Sequence, residues 1–423
     1  MNRALAWVVI AASLVGCGGN GGGEQEVTID TFNVALAGAF VPYEQQRRQP
    51  IADAMAEQTA DLICLQEVWD QTDKELIREA VADAYPYVVS FEDNLDTQVD
   101  DPTDQQGEIP PAPTTVPCPN IPAPDLPGVT IQDQMNGAID CVRDNCSTIP
   151  GSDEGYTTSA DCAETACIGD VGGLLLGDEQ QQRCYACVVT QLPTAQLGYI
   201  RSSCAEIVNQ ELAFNGQSGV MLLSRHPLVE EPEEWVLPGT WNRRIILHAT
   251  VKLPNGSDLD AYCNHLTPIF TGLAYPYTGQ YGNGLTGAAG WQAEQELQAQ
   301  KLIDYVDRTS GDRPAVILGD FNASHAYPAQ DIVAEGEPAL NLLETQFEPA
   351  YTSDYTPQCT FCSDNVVAGA ETSSWIDHIL LYNLPADPVV STMRIFDQPV
   401  VPVDSEMVPL SDHYGMRSVV TVP

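Results

Sequence analysis

The run 315–318 of "AVILGDFNAS" has a strand's composition, ends on Gly319, and then offers Asp320 and Asn322 with one aromatic between them. In an extended chain a spacing of two puts both polar groups on one side. A carboxylate and an amide would then face one spot at a strand's end. Turn chemistry supplies a plainer account of the same residues, a strand followed by an Asp/Asn turn. Other strand-like runs shift the balance because they finish in the same way. Asn33 closes the first, Glu67 follows "LICLQ", His265 follows "LDAYCN", Asp377 interrupts "SSWIDHILL", and "LSDHYG" supplies Asp412 and His413. Singly, each has an ordinary reading: a Glu as a solvated helix start, a His as a hydrogen-bonded core residue, an Asp as a turn cap. Together they mark one rim, and a rigid scaffold builds its sites on the loops and strand ends of such a rim.

The chemistry open to these residue types is specific. One or two carboxylates, with water and a substrate phosphate completing the shell, satisfy a magnesium ion, and Glu67 is the strongest single ligand. A buried Asp beside a His orients the imidazole and favours its protonated form; Asp377 and His413 are the candidate pair. Asn side chains donate hydrogen bonds to phosphate oxygens and so stabilise charge that builds in a transition state. The segment "NRR" adds Arg243 and Arg244, which either meet a substrate phosphate or lie on a solvated strand edge.

The elements that must hold these groups are legible by period. "EVTIDTFNV" alternates as a strand, "QPIADAMAEQ" has a Pro start and helical spacing, "DLICLQE" is a buried strand, "DKELIREAVADA" an amphipathic helix and "YPYVVS" a further strand. From about 92 to 210 the pattern stops, apart from "VGGLLLG" and short helices near Gln132 and Thr194. A structureless loop of that length does not belong in a compact domain, which predicts an insertion with its own small fold. Regular structure resumes with "SGVMLLSRHPL", "RRIILHATVKL" and "DLDAYCNHLTP" as strands. The loop "FTGLAYPYTGQYGNGLTG" and the helix "WQAEQELQAQKLIDYVDR" follow, then the opening strand, a helical stretch near 328–344, and the closing "LSDHYGMRSVVTV". Many strands with fewer helices predict two packed sheets covered outside by helices.

The first residues, a short cationic start and an apolar run ending in "LVGC", read as a lipoprotein signal peptide of residues 1–16 with Cys17 as the lipidated residue and 17–25 as a Gly-rich tether. This predicts export and a lipid anchor at a bacterial membrane surface. Export implies an oxidising compartment, and the twelve cysteines after Cys17 are an even number suited to disulfides. Eight crowd between Cys118 and Cys204, and Cys359 and Cys362 form a close pair. The Cys-x-x-Cys pairs at Cys184 and Cys359 could form a zinc site, but the compartment favours disulfides. Cys64 and Cys263 sit inside apolar strand runs and are expected as buried small hydrophobes. A net charge of −42 repels nucleic-acid phosphates and argues against a broad nucleic-acid-binding face.

The ordered set "TFNV", "LQEVWD", "CNHLTP", "LGDFNAS", "SSWIDHILL" and "LSDHYG" resembles the endonuclease/exonuclease/phosphatase superfamily, which includes deoxyribonuclease-I-like nucleases, bacterial sphingomyelinases and inositol phosphate phosphatases. The resemblance implies a four-layer α/β/β/α sandwich; it covers 26–91 and 211–423 and leaves 92–210 as the disulfide-rich acidic insertion that composition and lost periodicity already mark. It implies Mg2+, with Mn2+ or Ca2+ as alternatives, bound at Glu67 with Asn33 beside it and with Asp412 helping. Asp320 resembles the aspartate that orients or deprotonates the attacking water, and Asn322 the amide that holds the phosphate. His265 resembles the histidine that contacts the phosphate and can assist the leaving group, and Asp377 with His413 resembles the family's paired Asp and His. In the deoxyribonuclease-I-like nucleases a glutamate directly after the "YPYVVS"-like strand supports the first histidine; here Phe91 stands there and Glu92 comes one later, pointing to the other face.

These features predict a metal-dependent phosphoesterase with a phosphoester substrate. Surface anchoring, negative charge and the "LAYPYTGQY" loop incline the substrate towards a phospholipid headgroup such as that of sphingomyelin. An extracellular nuclease and a non-catalytic surface binding module are the alternatives, and the intact motif set argues against the second.

Overall fold

The computed structural model describes residues 23–38, 40–90, 116–146, 158–189, 197–205, 214, 217–239, 242–271, 285 and 287–423. In chain order the first part comprises β1 (Gln25–Leu36), α1 (Glu44–Ala56), β2 (Leu62–Val68), α2 (Gln71–Val81) and β3 (Tyr87–Ser90). Five helices follow: α3 (Ile131–Asn145), α4 (Ser159–Ala166), α5 (Ile168–Leu175), α6 (Glu179–Val189) and α7 (Leu197–Ala205). Then come β4 (Met221–Ser224), β5 (Glu233–Val236), β6 (Ile245–Lys252), β7 (Asp258–His265), α8 (Gly287–Ser310), β8 (Ala315–Asp320) and α9 (Glu337–Leu343). The chain closes with β9 (Glu348–Pro349), β10 (Asp377–Tyr382), β11 (Val389–Ile395), β12 (Val401–Val403), β13 (Glu406–Val408) and β14 (Gly415–Val422).

The strands form two six-stranded sheets, ordered β11-β14-β1-β2-β4-β3 and β5-β6-β7-β8-β10-β9. Each is built around one parallel pair, β1 with β2 and β7 with β8, flanked on both sides by antiparallel neighbours. Period two sorts their side chains. Val27, Ile29, Leu62 and Leu222 of the first sheet meet Leu247, Leu259, Val316 and Leu318 of the second in an inter-sheet core. On the outer faces, Phe32, Val34 and Ile63 pack under Ile51, Met55, Ile77 and Val81 of α1 and α2, and Ile246, Tyr262 and Ile317 pack under Leu302, Val306 and Leu340 of α8 and α9. The layers are α/β/β/α, as the sequence predicts.

Three local features differ from the sequence reading. Cys64 and Cys263 are not isolated hydrophobes: they form a disulfide across a sequence separation of 199, joining β2 of one sheet to β7 of the other inside the core. Both side chains point inward at matching height, which no local pattern reveals. Helix α1 begins at Glu44, six residues before the predicted Pro start, with Pro50 inside it. A tertiary anchor outweighs the proline there, since the fully buried Arg47 donates to the carbonyls of Pro42, Val34, Ala35 and Leu410. The described part of 116–205 is helical, where the sequence predicts only short helices. Its core, with Ile131, Ile139, Val171, Leu174 and Ile200, takes no residue from either sheet, and Cys118–Cys184, Cys141–Cys167, Cys146–Cys162 and Cys187–Cys204 staple it. Helix α3 starts on a capping box, Thr130 with Asp133, that satisfies its first backbone donors.

Candidate active site

The inward-facing rows that build the core turn polar at one end of the sandwich. In the second sheet His265 stands opposite Asp320 in the parallel β7/β8 pair, and Asp377 stands opposite Asp320 in the antiparallel β8/β10 pair. Three candidate site side chains therefore share one row, fixed by ladder register. Gly319 makes the close approach possible, because a Cβ there would lie 2.2 Å from the Asn264 carbonyl oxygen. Across the gap, Asn33 of β1 donates to Asp320 Oδ2 at 2.9 Å and to Glu67 Oε1 at 3.1 Å, tying the two sheets' carboxylates together. Its oxygen accepts from the Ala35 N–H at 3.0 Å, so the amide presents its NH2 to the site.

The strand ends are bent to reach this point. Glu67 and Asn322 have φ of 61° and 49°, in the left-handed region. For Glu67 this costs on the order of 1 kcal/mol and re-aims a side chain that strand alternation would send elsewhere. Gly219 leaves room for it, since a Cβ there would meet the Trp69 ring at 2.9 Å and Glu67 Cα at 3.0 Å. Asn322 satisfies both readings of the opening motif: its N–H donates to Asp320 Oδ1 at 2.8 Å, closing an Asp/Asn turn, while its amide nitrogen reaches His265 Nε2 at 3.2 Å and the Leu266 carbonyl at 2.9 Å. The segment before β14 completes the cluster. His413 Nδ1 meets Asp377 Oδ2 at 2.8 Å, its Nε2 lies 3.9 Å from Asp320 Oδ2, and Ser411 Oγ donates to the Asn33 carbonyl at 2.7 Å.

Burial and charge drive the two histidines apart. Burial, with Arg244 and His413 adding positive charge, holds His265 well below the ordinary imidazole range, so it is neutral. Burial opposes protonation of His413 too, but Asp377, Asp412 and Asp320 overcome it and raise the group well above that range. Asp320 is pushed up to about 8, first by burial and then by the Asp377 carboxylate beside it. Glu67 is raised by burial and by Asp412. A buried carboxyl with high proton affinity next to a cationic imidazole is the kind of tuned pair that proton transfer requires.

A hard divalent cation fits this end of the molecule. Glu67 and Asp412 are half-buried carboxylates whose mutual repulsion raises Glu67, and a cation would relieve it. Buried polar atoms also stand open in the cluster: Asp377 Oδ1 and His265 Nδ1 have no hydrogen-bond partner. One ligand atom each from Asp320, Asp377 and His413 also lie within 4.8 Å of one another, but a cationic His413 has no lone pair to offer, which leaves Glu67 and Asp412 as the carboxylates for the cation. Arg244, weighed in the sequence against a solvated edge, is 3 % exposed, faces the Trp69 ring at 5.7 Å, and leaves its Nε and Nη1 without partners. Its burial follows from the strand it precedes, a signal the sequence carries only faintly. Arg244 and Thr360 are site neighbours that stand outside the motif set, and Thr360 has no functional signature of its own. Cys17, the signal peptide, Thr194, the "LAYPYTGQY" loop and the pair Phe91 and Glu92 lie outside the described residues.

The chain is similar in structure to sphingomyelinase C from Streptomyces griseocarneus, at 14 % identity and a TM-score of 0.49, over 94 % of this chain and 99 % of that one. It is similar to a mutant beta toxin from Staphylococcus aureus with bound magnesium ions, at 11 % identity and a TM-score of 0.49, over 94 % and 100 %. It is also similar to an endonuclease/exonuclease/phosphatase from Bacteroides vulgatus, at 12 % identity and a TM-score of 0.47, over 94 % and 100 %. No curated protein sequence matches it. The family model described as Endonuclease/Exonuclease/phosphatase matches residues 31–413, a span that runs from β1 to the last site histidine, and the protein belongs to that family.

Proposed function

We propose that the protein hydrolyses phosphodiester bonds by in-line attack of water, with a divalent cation held by Glu67 and Asp412. The family's enzymes are divalent-metal dependent and act on phosphoester bonds. The single observation that carries the reading for this chain is the row His265, Asp320, Asp377 with His413 against it, in which two buried histidines have opposite proton affinities. When bound, the cation would withdraw charge from the phosphoryl and leaving oxygens. Asp320, in its ionised form, orients the attacking water and takes its proton, which its raised proton affinity then holds. Asn33 holds Asp320 Oδ2 and Glu67 Oε1 in their relative places. His413, kept cationic and oriented by Asp377, faces Asp320, supplies positive charge as negative charge builds on the phosphoryl oxygens, and gives up its proton to the leaving oxygen as the P–O bond breaks. Neutral His265, the Asn322 amide and the open guanidinium edge of Arg244 bind phosphate oxygens.

The substrate class we favour is a phospholipid headgroup such as that of sphingomyelin. A charge of −42 supports this over a polynucleotide, because a long polyanion is repelled by the whole surface while a single headgroup phosphate meets only Arg244 and His413. Export is supported by six disulfides among the described cysteines, and anchoring at a bacterial membrane surface through Cys17 rests on the "LVGC" segment. No helix among the described residues is long and apolar enough to cross a membrane.

The test is hydrolysis of sphingomyelin vesicles, plasmid DNA, inositol phosphates and a chromogenic phosphodiester by the purified chain, each with magnesium and with chelator. Chelator-sensitive release from sphingomyelin is the expected result. Preferential cleavage of DNA would replace the lipid reading with a nuclease. Turnover of none by folded protein would leave a binding module.

A further inference from the structure

The Cys359–Cys362 pair lies beside the paired Asp and His but outside both β10, which carries Asp377, and the segment before β14, which carries His413. Between the two cysteines, Thr360 is fully buried and bonds in both directions. Its hydroxyl oxygen accepts from the backbone N–H groups of Ile376 and Asp377, both at 3.1 Å, which fixes the first residue of β10. Its carbonyl accepts from the Tyr414 N–H at 2.8 Å, which fixes the residue after His413. Phe361 exchanges backbone bonds with Ser374 at 3.1 and 2.8 Å and sets its ring 5.1 Å from the His413 imidazole. Asn365, also buried, donates to the Ser411 carbonyl at 3.0 Å. The loop is anchored behind by Arg394, whose Nη1 donates to the Cys359 carbonyl at 3.1 Å.

Asp377 and His413 come from segments 36 residues apart, and they meet at 2.8 Å only if both backbones are held. Thr360 is the one residue among those described that bonds to the backbone of Asp377 and to that of the residue beside His413. We propose that residues 359–362 are a disulfide-closed strap that sets the Asp377–His413 pair, with Thr360 as the positioning residue for turnover. Closing a loop of this size confines the chain around Thr360, so that its hydroxyl and carbonyl stay aimed at two separate segments. The inference rests on the phosphodiesterase reading for its kinetic consequence, and its structural content stands apart from that reading.

The experiment compares wild type, Thr360→Val, Thr360→Ser and the double variant Cys359→Ser, Cys362→Ser in magnesium-dependent hydrolysis of a chromogenic phosphodiester, with amide hydrogen exchange at Ile376 and Asp377. Small displacements of a reacting group cost on the order of a hundredfold in rate. Thr360→Val should therefore lower kcat by roughly that factor with KM within about twofold, Thr360→Ser should recover most of the loss, and the double-Ser variant should fall between them. Unchanged kcat in Thr360→Val, or no recovery in Thr360→Ser, would overturn the strap. Should Thr360→Val fail to fold, the double-Ser variant decides, with wild-type kcat refuting and a kcat-only loss supporting. If wild type turns over nothing, the phosphodiesterase reading fails, and exchange judges the strap alone: faster exchange at Ile376 and Asp377 in Thr360→Val or in the double-Ser variant supports it, and wild-type rates in both overturn it.

Discussion

Strands β7 and β8 carry a buried aspartate at each end of the sandwich, and the two are opposites. At the end away from the site, Asp260 accepts from Thr250 Oγ1 at 2.6 Å, Ser310 Oγ at 2.8 Å, Arg313 Nε at 2.9 Å and His248 Nε2 at 3.3 Å. Burial alone would raise its pKa, but these four donors bring it down to about 2. At the site end, Asp320 has two good donors, Asn322 N–H and Asn33 Nδ2, and a second carboxylate, Asp377, for a neighbour; it is pushed up to about 8. Residue type is the same, and both side chains are shielded from solvent. What differs is the donor set, the neighbouring Asp377 carboxylate and the deeper packing around Asp320. One end is satisfied and serves the fold, and the other is left with high proton affinity and bent backbones, which stability alone does not select.

Substitutions sharpen that contrast, the largest effects first. Asp320→Asn should lower kcat by about ten-thousandfold, the scale of losing a group central to proton handling, while the denaturation midpoint stays equal or rises. A drop in stability with turnover kept would reverse the assignment of the two ends. Glu67→Gln should cost on the order of a thousandfold. It should also abolish stabilisation by magnesium, which in wild type is about 2.7 kcal/mol at a hundred times the dissociation constant; thermal melts with and without the ion read this directly. His413→Ala should lower kcat by about a hundredfold or more with KM little changed, whereas a KM effect alone would restrict it to binding.

Asp260→Asn should act in the other currency. Loss of charged hydrogen bonds there should cost about 2 kcal/mol of stability, with kcat unaltered once the protein is folded, as chemical denaturation and kinetics on one sample would show. The smallest effect is the pH dependence of stability in chelator. Asp260, with its folded pKa depressed, contributes stability that is present above its ordinary value of 3.8 and is lost as pH falls towards about 2. For Asp320 the sign reverses: the folded state holds the proton, so stability is full below 3.8 and declines as pH rises through about 8. Asp320→Asn should flatten the second slope and leave the first, and two unchanged slopes would mean that the two ends do not differ in proton affinity.

The site is more legible in the sequence than the parts that hold it. Asn33, His265, Asp320 and Asp377 can be picked out because each continues an alternating row, and a period of two is written in the local sequence. His413 and Asp412 are visible for a related reason, standing just before a clear strand. Arg244 is only half visible, since whether an arginine at a strand's start is buried depends on what packs over it, here Trp69. Thr360 is invisible. Its partners, Ile376, Asp377 and Tyr414, lie 16 to 54 positions away, and a threonine between two cysteines has no local signature. Cys64 and Cys263 read locally as two isolated thiols, because their pairing is a property of two sheets facing each other.

Chain order, the strands and helices of the two-sheet body, the layered architecture and most of the side chains that gather at the candidate site followed from the sequence by itself, because backbone periodicity and residue chemistry act over a few neighbouring positions. Only the tertiary structure decided which side chains share a row, which cysteines bond, why Glu67 turns inward, and which of two histidines keeps its proton. Those outcomes depend on register, burial and the sign of charges brought together from distant segments, and all three come into being only when the two sheets close on each other.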